Sequence, residues 1–131
     1  MDDTTRYADG MTTRRAVLGG AYVDKASSGL TDFNTEWQEF ITCTAWNDIW
    51  NRPGLVRRER SIIVLSVAAS LGAWGEFRIH VRGAVNNGLS RDEIKEVLMQ
   101  VAVYAGVPAA NHAFKEAASV FAEIEAEAAK G

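Results

Sequence analysis

Glu76 and His80 are the two residues whose types and spacing most readily support chemistry. Four positions apart on a helix, they stack on one face about one turn from each other and can share a hydrogen bond. A carboxylate beside an imidazole favours the imidazolium and fixes the ring, which makes a general acid able to work near neutral pH. The same spacing also describes an exposed pair contributing about 0.3–0.5 kcal/mol to its helix, and spacing alone leaves both readings open.

Arginines are the second source of chemistry. Arg57, Arg58 and Arg60 crowd the polar turn that opens an otherwise apolar segment, and Arg82 lies two residues beyond His80. A guanidinium fork matches a carboxylate bidentately, and a helix N-terminus adds amide donors and a favourable dipole for the same anion. Any one of these arginines can equally do no more than solvate a helix end. His112, the only other histidine, has neither an HExxH pattern nor another compact ligand spacing around it, so a surface or helix-start role is expected and no metal site. Trp46 and Trp50, also four apart, can wall an apolar pocket or simply join the core.

The bulk composition sets limits on the function. A chain of 131 residues fits one domain, expected to span 1–131, and its net charge of −3 gives no broad attraction to nucleic acid or to an anionic membrane. A single cysteine, Cys43, rules out an intramolecular disulfide, a CxxC pair and a four-cysteine zinc site. The most apolar stretch, Ser61 to Gly72, is twelve residues long, well short of the run of about 20 that spans a bilayer, so a soluble, cytoplasmic protein is expected. Thr13-Arg14-Arg15-Ala16-Val17-Leu18 imitates a twin-arginine export signal, but Asp24 and Lys25 interrupt the apolar run behind it, and the stretch reads as an exposed helix turn.

The elements that must position these residues are helical throughout. The pattern predicts a first helix over Thr5–Leu18, ending at Gly19-Gly20. A second starts at Thr31 or Asp32, with Glu36 placed to complete a capping box. Its residues Phe33, Trp37, Phe40, Ile41, Thr44, Ala45 and Ile49 have the spacing of one buried stripe. A third, Arg57–Leu71, is apolar nearly all round and belongs in the centre of the domain or at a subunit interface. Further helices are predicted over about Trp74–Asn86, from the Ser90-Arg91-Asp92-Glu93 capping box to Gly106, and from Pro108 to about Ala128. Ile94, Val97, Leu98, Val101 and Tyr104 or Ala105 form the fifth helix's stripe, and Phe114, Val120, Phe121 and Ile124 form a packing face on the sixth. No segment alternates like a strand, so the fold class is all-α, with about six helices in one domain.

From Gly75 to Ala110 the chain reads GEFRIHVRGAVNNGLSRDEIKEVLMQVAVYAGVPAA. In its order of Glu, His, Ala, Gly, acidic pair, Gln, Tyr-Ala-Gly and Pro-Ala it resembles the carboxymuconolactone decarboxylase family. Asp32-Phe33-Asn34, Ala45-Trp46, Arg52-Pro53-Gly54-Leu55, the arginine cluster with Ser61, Arg6-Tyr7 and Arg15-Ala16-Val17-Leu18-Gly19 look like the branch acting on 4-carboxymuconolactone. The resemblance implies an alkylhydroperoxidase-like helical fold. Peroxidases of that fold carry a CxxC where Ala73 and Glu76 stand here, so peroxidase chemistry is excluded by residue content.

What the resemblance implies is cofactor-free decarboxylation of 4-carboxymuconolactone to 3-oxoadipate enol-lactone, in protocatechuate catabolism. His80 would donate the proton and Glu76 orient it. Arg57, Arg58, Arg60 or Arg82 would bind the carboxylates of a dicarboxylate lactone, with Trp46, Gln100 and Tyr104 completing the site. A homo-oligomer, trimer or hexamer, is also implied, with no metal, nucleic acid or membrane involved.

Overall fold

The structure is a computed structural model that describes residues 2–131, and all regular structure among them is helical. Two compact units divide the chain, one ending at Arg57 and one running from Arg58 to Gly131.

In the N-terminal unit, α1 (Asp3–Leu18) is capped by Asp2, whose carboxylate accepts from the amide of Thr5 at 2.8 Å. Gly19, at φ +93°, breaks the helix in a left-handed conformation that costs a glycine little. The chain turns helical again immediately as α2 (Gly20–Ser28), an element absent from the sequence-based expectation, which treated both glycines as the end of helical structure. After α3 (Thr35–Ile41) comes a π-helical turn over Thr42–Asn47. It is marked by amide-to-carbonyl bonds across five residues, Asp48 to Cys43 at 2.9 Å and Trp50 to Ala45 at 3.0 Å.

This region departs from expectation twice. Thr42 and Trp46 are buried while Phe33, Trp37, Phe40 and Ile49 are exposed, Phe33 at 97%. Of the predicted stripe Ile41, Thr44 and Ala45 are half-buried, and beyond Ile41 a strict 3.6-residue period does not continue through the π turn. Nor do Thr31 or Asp32 cap the helix: Asn34 occupies the cap position, and its side chain instead accepts from the amide of Thr31 at 2.7 Å, closing a turn ahead of α3. Gly10 of α1 packs so tightly here that a Cβ would lie 2.1 Å from the Thr42 carbonyl oxygen, so only a hydrogen fits.

The C-terminal unit carries α4, which begins at the junction (Arg57–Leu71), α5 (Trp74–Asn86), α6 (Arg91–Ala105) and α7 (Val107–Lys130). Ser90 and Glu93 form both halves of the expected capping box, and Gly88 and Gly106, at φ +94° and +108°, make the turns on either side of α6. The core is Leu65, Ala68 and Ala69 of α4, Phe77, Val81 and Ala84 of α5, Ile94, Leu98 and Val101 of α6, and Ala113, Ala117 and Val120 of α7. The α6 stripe stops at Val101, since Tyr104 and Ala105 are exposed. On α7 the small residues carry the contact, with Phe121 and Ile124 partly buried against it and Phe114 left outside. Among the described residues no helix is long and apolar enough to cross a membrane.

Candidate functional site

α5 holds His80 on the same inward arc as Phe77, Val81 and Ala84, and the ring is only 6% exposed. Burial pushes its pKa down to about 4, because the charged form loses more hydration than the neutral one. Near pH 7 the imidazole is neutral. Glu76 lies one turn earlier with its side chain 69% exposed, and its Oε2 is 3.8 Å from His80 Nε2, within ion-pair range but too long for a hydrogen bond. Glu76 does little to offset that burial, since water screens the carboxylate whereas the ring has been removed from water.

The four arginines singled out in the sequence have different surroundings. Arg58 forks onto Glu93, donating also to the Gly88 carbonyl at 2.6 Å, and the hydrogen bond from Arg58 helps pull the Glu93 carboxyl down to about 2. Arg82 forks onto Glu127 with two bonds of 2.9 Å, with Glu123 at 3.5 Å. Both are already engaged with carboxylates of the chain itself. Arg60 is half-buried on α4. In the N-terminal unit, exposed Arg57 sits 3.4 Å from the Thr13 hydroxyl, and Trp46 is buried with its ring stacked on Trp50 at 5.1 Å.

Gln100 and Tyr104 share a cleft of about 690 Å³ walled by α4 and α6, which also carries Glu93 and Glu96. His80 and Glu76 are not among its walls. Within the C-terminal unit the structure therefore brings together two separate pairs, Glu76 with His80 and Gln100 with Tyr104. His112 stacks on Trp74, ring centres 4.1 Å apart, and its Nε2 lies 3.3 Å from Glu116. Among the described residues no group of three or more His, Cys, Asp or Glu is arranged to hold a metal ion.

Sequence reasoning missed Arg78, which reaches Glu116 at 2.7 Å and also pairs with Glu123. With Arg82 it forms a ladder from α5 to α7. A signal for it was present, since Arg78 and Arg82 are four apart and Glu116, Glu123 and Glu127 are spaced seven and four along the facing helix. Also missed was Arg14. Thr13, Arg14, Val17 and Leu18 are buried, and Arg15 is exposed and paired with Asp24 at 2.7 Å.

The C-terminal unit is thus an all-α unit with a buried histidine one turn from an exposed acid. The carboxymuconolactone decarboxylase family model matches residues 35–119, and the chain belongs to that family. It is 41% identical over 95% of its length to a 4-carboxymuconolactone decarboxylase of Acinetobacter baylyi, of which it covers 92%. It is 42% identical over 78% of its length to a nitrosuccinic acid decarboxylase of Metarhizium robertsii, covering 71% of that protein. A 48-residue stretch is 54% identical to a 4-carboxymuconolactone decarboxylase of Pseudomonas putida, spanning all of that sequence and 37% of this one.

The depressed His80 pKa has a consequence for stability. An unfolded chain protonates this ring near 6.5 and the folded chain only near 4, so lowering the pH through that window favours unfolding and raising it restores stability. Urea unfolding at pH 7 and pH 4.5 should show the wild type losing roughly 2 kcal/mol more than a His80→Leu variant. Equal losses would mean that the folded protein protonates His80 as readily as the unfolded one.

Proposed function

We propose that the protein is a cofactor-free carboxy-lyase that converts 4-carboxymuconolactone to 3-oxoadipate enol-lactone and carbon dioxide, with His80 as the proton donor. The observation that carries this reading is the 41% identity over 95% of the chain to a decarboxylase of that name. The buried imidazole supports it, one turn from Glu76 where a peroxidase of this fold would need a cysteine.

The reaction's electron flow suits such a site. The bond from the γ-carbon to its carboxylate breaks, carbon dioxide leaves, and the electron pair spreads through the ring double bond onto the lactone carbonyl oxygen. A proton delivered to the α-carbon then restores the carbonyl. The substrate is its own electron sink, so the protein has to hold carboxylates, favour negative charge on the lactone oxygen and place one proton. A neutral His80 has no imidazolium proton to give at rest. A bound dianion raises the pKa of a nearby imidazole, so the proton is taken up as substrate binds and is then passed to the dienolate, with Glu76 as the counter-charge one turn away. Arg60, half-buried on α4, is a candidate for a substrate carboxylate.

A second substrate has support in the 42% identity to a nitrosuccinic acid decarboxylase. Nitrosuccinate is also a dicarboxylate with its own sink, since the nitro group takes up the electron pair. We further infer that copies of the chain associate, as a trimer or hexamer, in the cytoplasm. Ile63, Val67 and Leu71 of α4, with Val103, Tyr104 and Val107, leave an apolar surface on one copy that water solvates poorly.

Purified, EDTA-treated protein should release carbon dioxide from 4-carboxymuconolactone faster than from nitrosuccinate; no turnover of the lactone would end the first reading, and the reverse preference would favour the second. A folded His80→Gln variant should lose at least ~100-fold in kcat, the scale of general acid catalysis. The decline of kcat with rising pH should lie above that of kcat/KM, and coincident declines would remove proton uptake on binding. Sedimentation should give a multiple of 14.3 kDa, and a monomer at working concentration would contradict association.

A further inference from the structure

Arg14 is the most unusual charge in the molecule. It sits toward the C-terminal end of α1 at 7% exposure, yet among the described residues no carboxylate, carbonyl or hydroxyl is hydrogen-bonded or ion-paired with it. Its neighbour Arg15 shows the ordinary alternative, exposed and paired with Asp24. A guanidinium keeps its charge when buried, and a buried charge without a partner is strongly unfavourable. Among the described residues of the N-terminal unit nothing else combines those two properties.

The geometry around Arg14 separates its two edges. Nε is sealed from solvent, as is Oε1 of Gln38, and the two residues line a cavity of about 10 Å³, the size of one water. One atom is a donor and the other an acceptor, and neither has a partner. The terminal nitrogens are not sealed, because of the guanidinium atoms only Nε is enclosed without a partner. That outer edge is a two-pronged donor recessed below the surface, the shape that takes a carboxylate bidentately. Because it is recessed, an acid standing on a flat protein surface reaches it poorly and a small anion reaches it well.

We propose that Arg14 is a carboxylate-binding residue and that its ligand is a small dicarboxylate. Two sources share this chemistry, the substrate of the decarboxylation and a separate dicarboxylate effector, and the binding itself does not depend on which reaction the protein catalyses. The full-length protein is titrated with succinate at constant ionic strength while thermal unfolding is followed, beside an Arg14→Met and an Arg14→Lys variant. The wild type should gain several degrees in Tm. Arg14→Met should gain none and should melt above the ligand-free wild type, because an apolar side chain replaces an unpaired buried charge.

Arg14→Lys keeps the charge but loses the fork, and should need at least threefold more succinate for the same gain. It also keeps the test open should the Met variant fold poorly. A wild type indifferent to succinate, with Arg14→Met melting below it, would overturn the proposal and make Arg14 a structural residue. So would a succinate response that persists in both variants, or a loss of subunit association in Arg14→Met, which would assign the fork to an acid of a second copy. The source is read from turnover. A KM raised at least tenfold in Arg14→Lys with kcat within threefold identifies the substrate, and an unchanged KM alongside the weakened succinate response identifies an effector.

Discussion

Removing one imidazole from water is the constraint on which the account of this protein depends. His80 is held inside by its own helix, where Phe77, Val81 and Ala84 form the adjoining inner surface, and by the packing of α4, α6 and α7 around that surface. On another side of α5, Arg78 and Arg82 grip Glu116, Glu123 and Glu127 of α7. These pairs are partly exposed, so each adds little stability, but together they fix the rotation of α5 that keeps the ring inward. The same rotation leaves Glu76 in water. One helix thus presents an apolar arc, an ionic arc and a boundary between them where a buried base and an exposed acid stand one turn apart.

The arrangement of charge fits an enzyme that handles anions with a net charge of −3. Attraction at long range is weak, so local groups must do the holding. Two of the four arginines that looked suited to this in the sequence, Arg58 and Arg82, are bound to the protein's own carboxylates, and those ion pairs serve the fold. An arginine already forked onto a glutamate must break that pair before it can receive a substrate, whereas one without a partner gains by receiving it. By that criterion Arg14, hidden in a turn that looked like surface, differs from Arg58 and Arg82, which looked like ligands.

What could be read from the sequence follows the range of the interactions involved. The boundaries of α4, α5 and α6, the Ser90/Glu93 capping box and the turn at Asn87-Gly88 are local, and each was legible from a few adjacent residues. α2 was not, because a glycine pair marks a break without saying whether the helix resumes. Nor was the exposure of Phe33, Trp37 and Phe40, because apolar spacing marks a face without saying what covers it, and the π turn breaks the period before Ile49. At the site, the Glu76/His80 spacing was legible but the balance between them was not. Desolvation of His80 comes from side chains on other helices, and the pairing of Arg58 with Glu93, 35 residues away, depends on the tertiary fold.

The most direct measurement is the titration of the His80 ring nitrogens by NMR, in the protein labelled with ¹⁵N at histidine, using a His80→Gln variant to assign the signal. The account predicts a neutral ring at pH 7 that takes up its proton only near pH 4 in the free protein. A ring that titrates at or above 6.5 would contradict it, since His80 would then behave as an ordinary solvated imidazole beside Glu76.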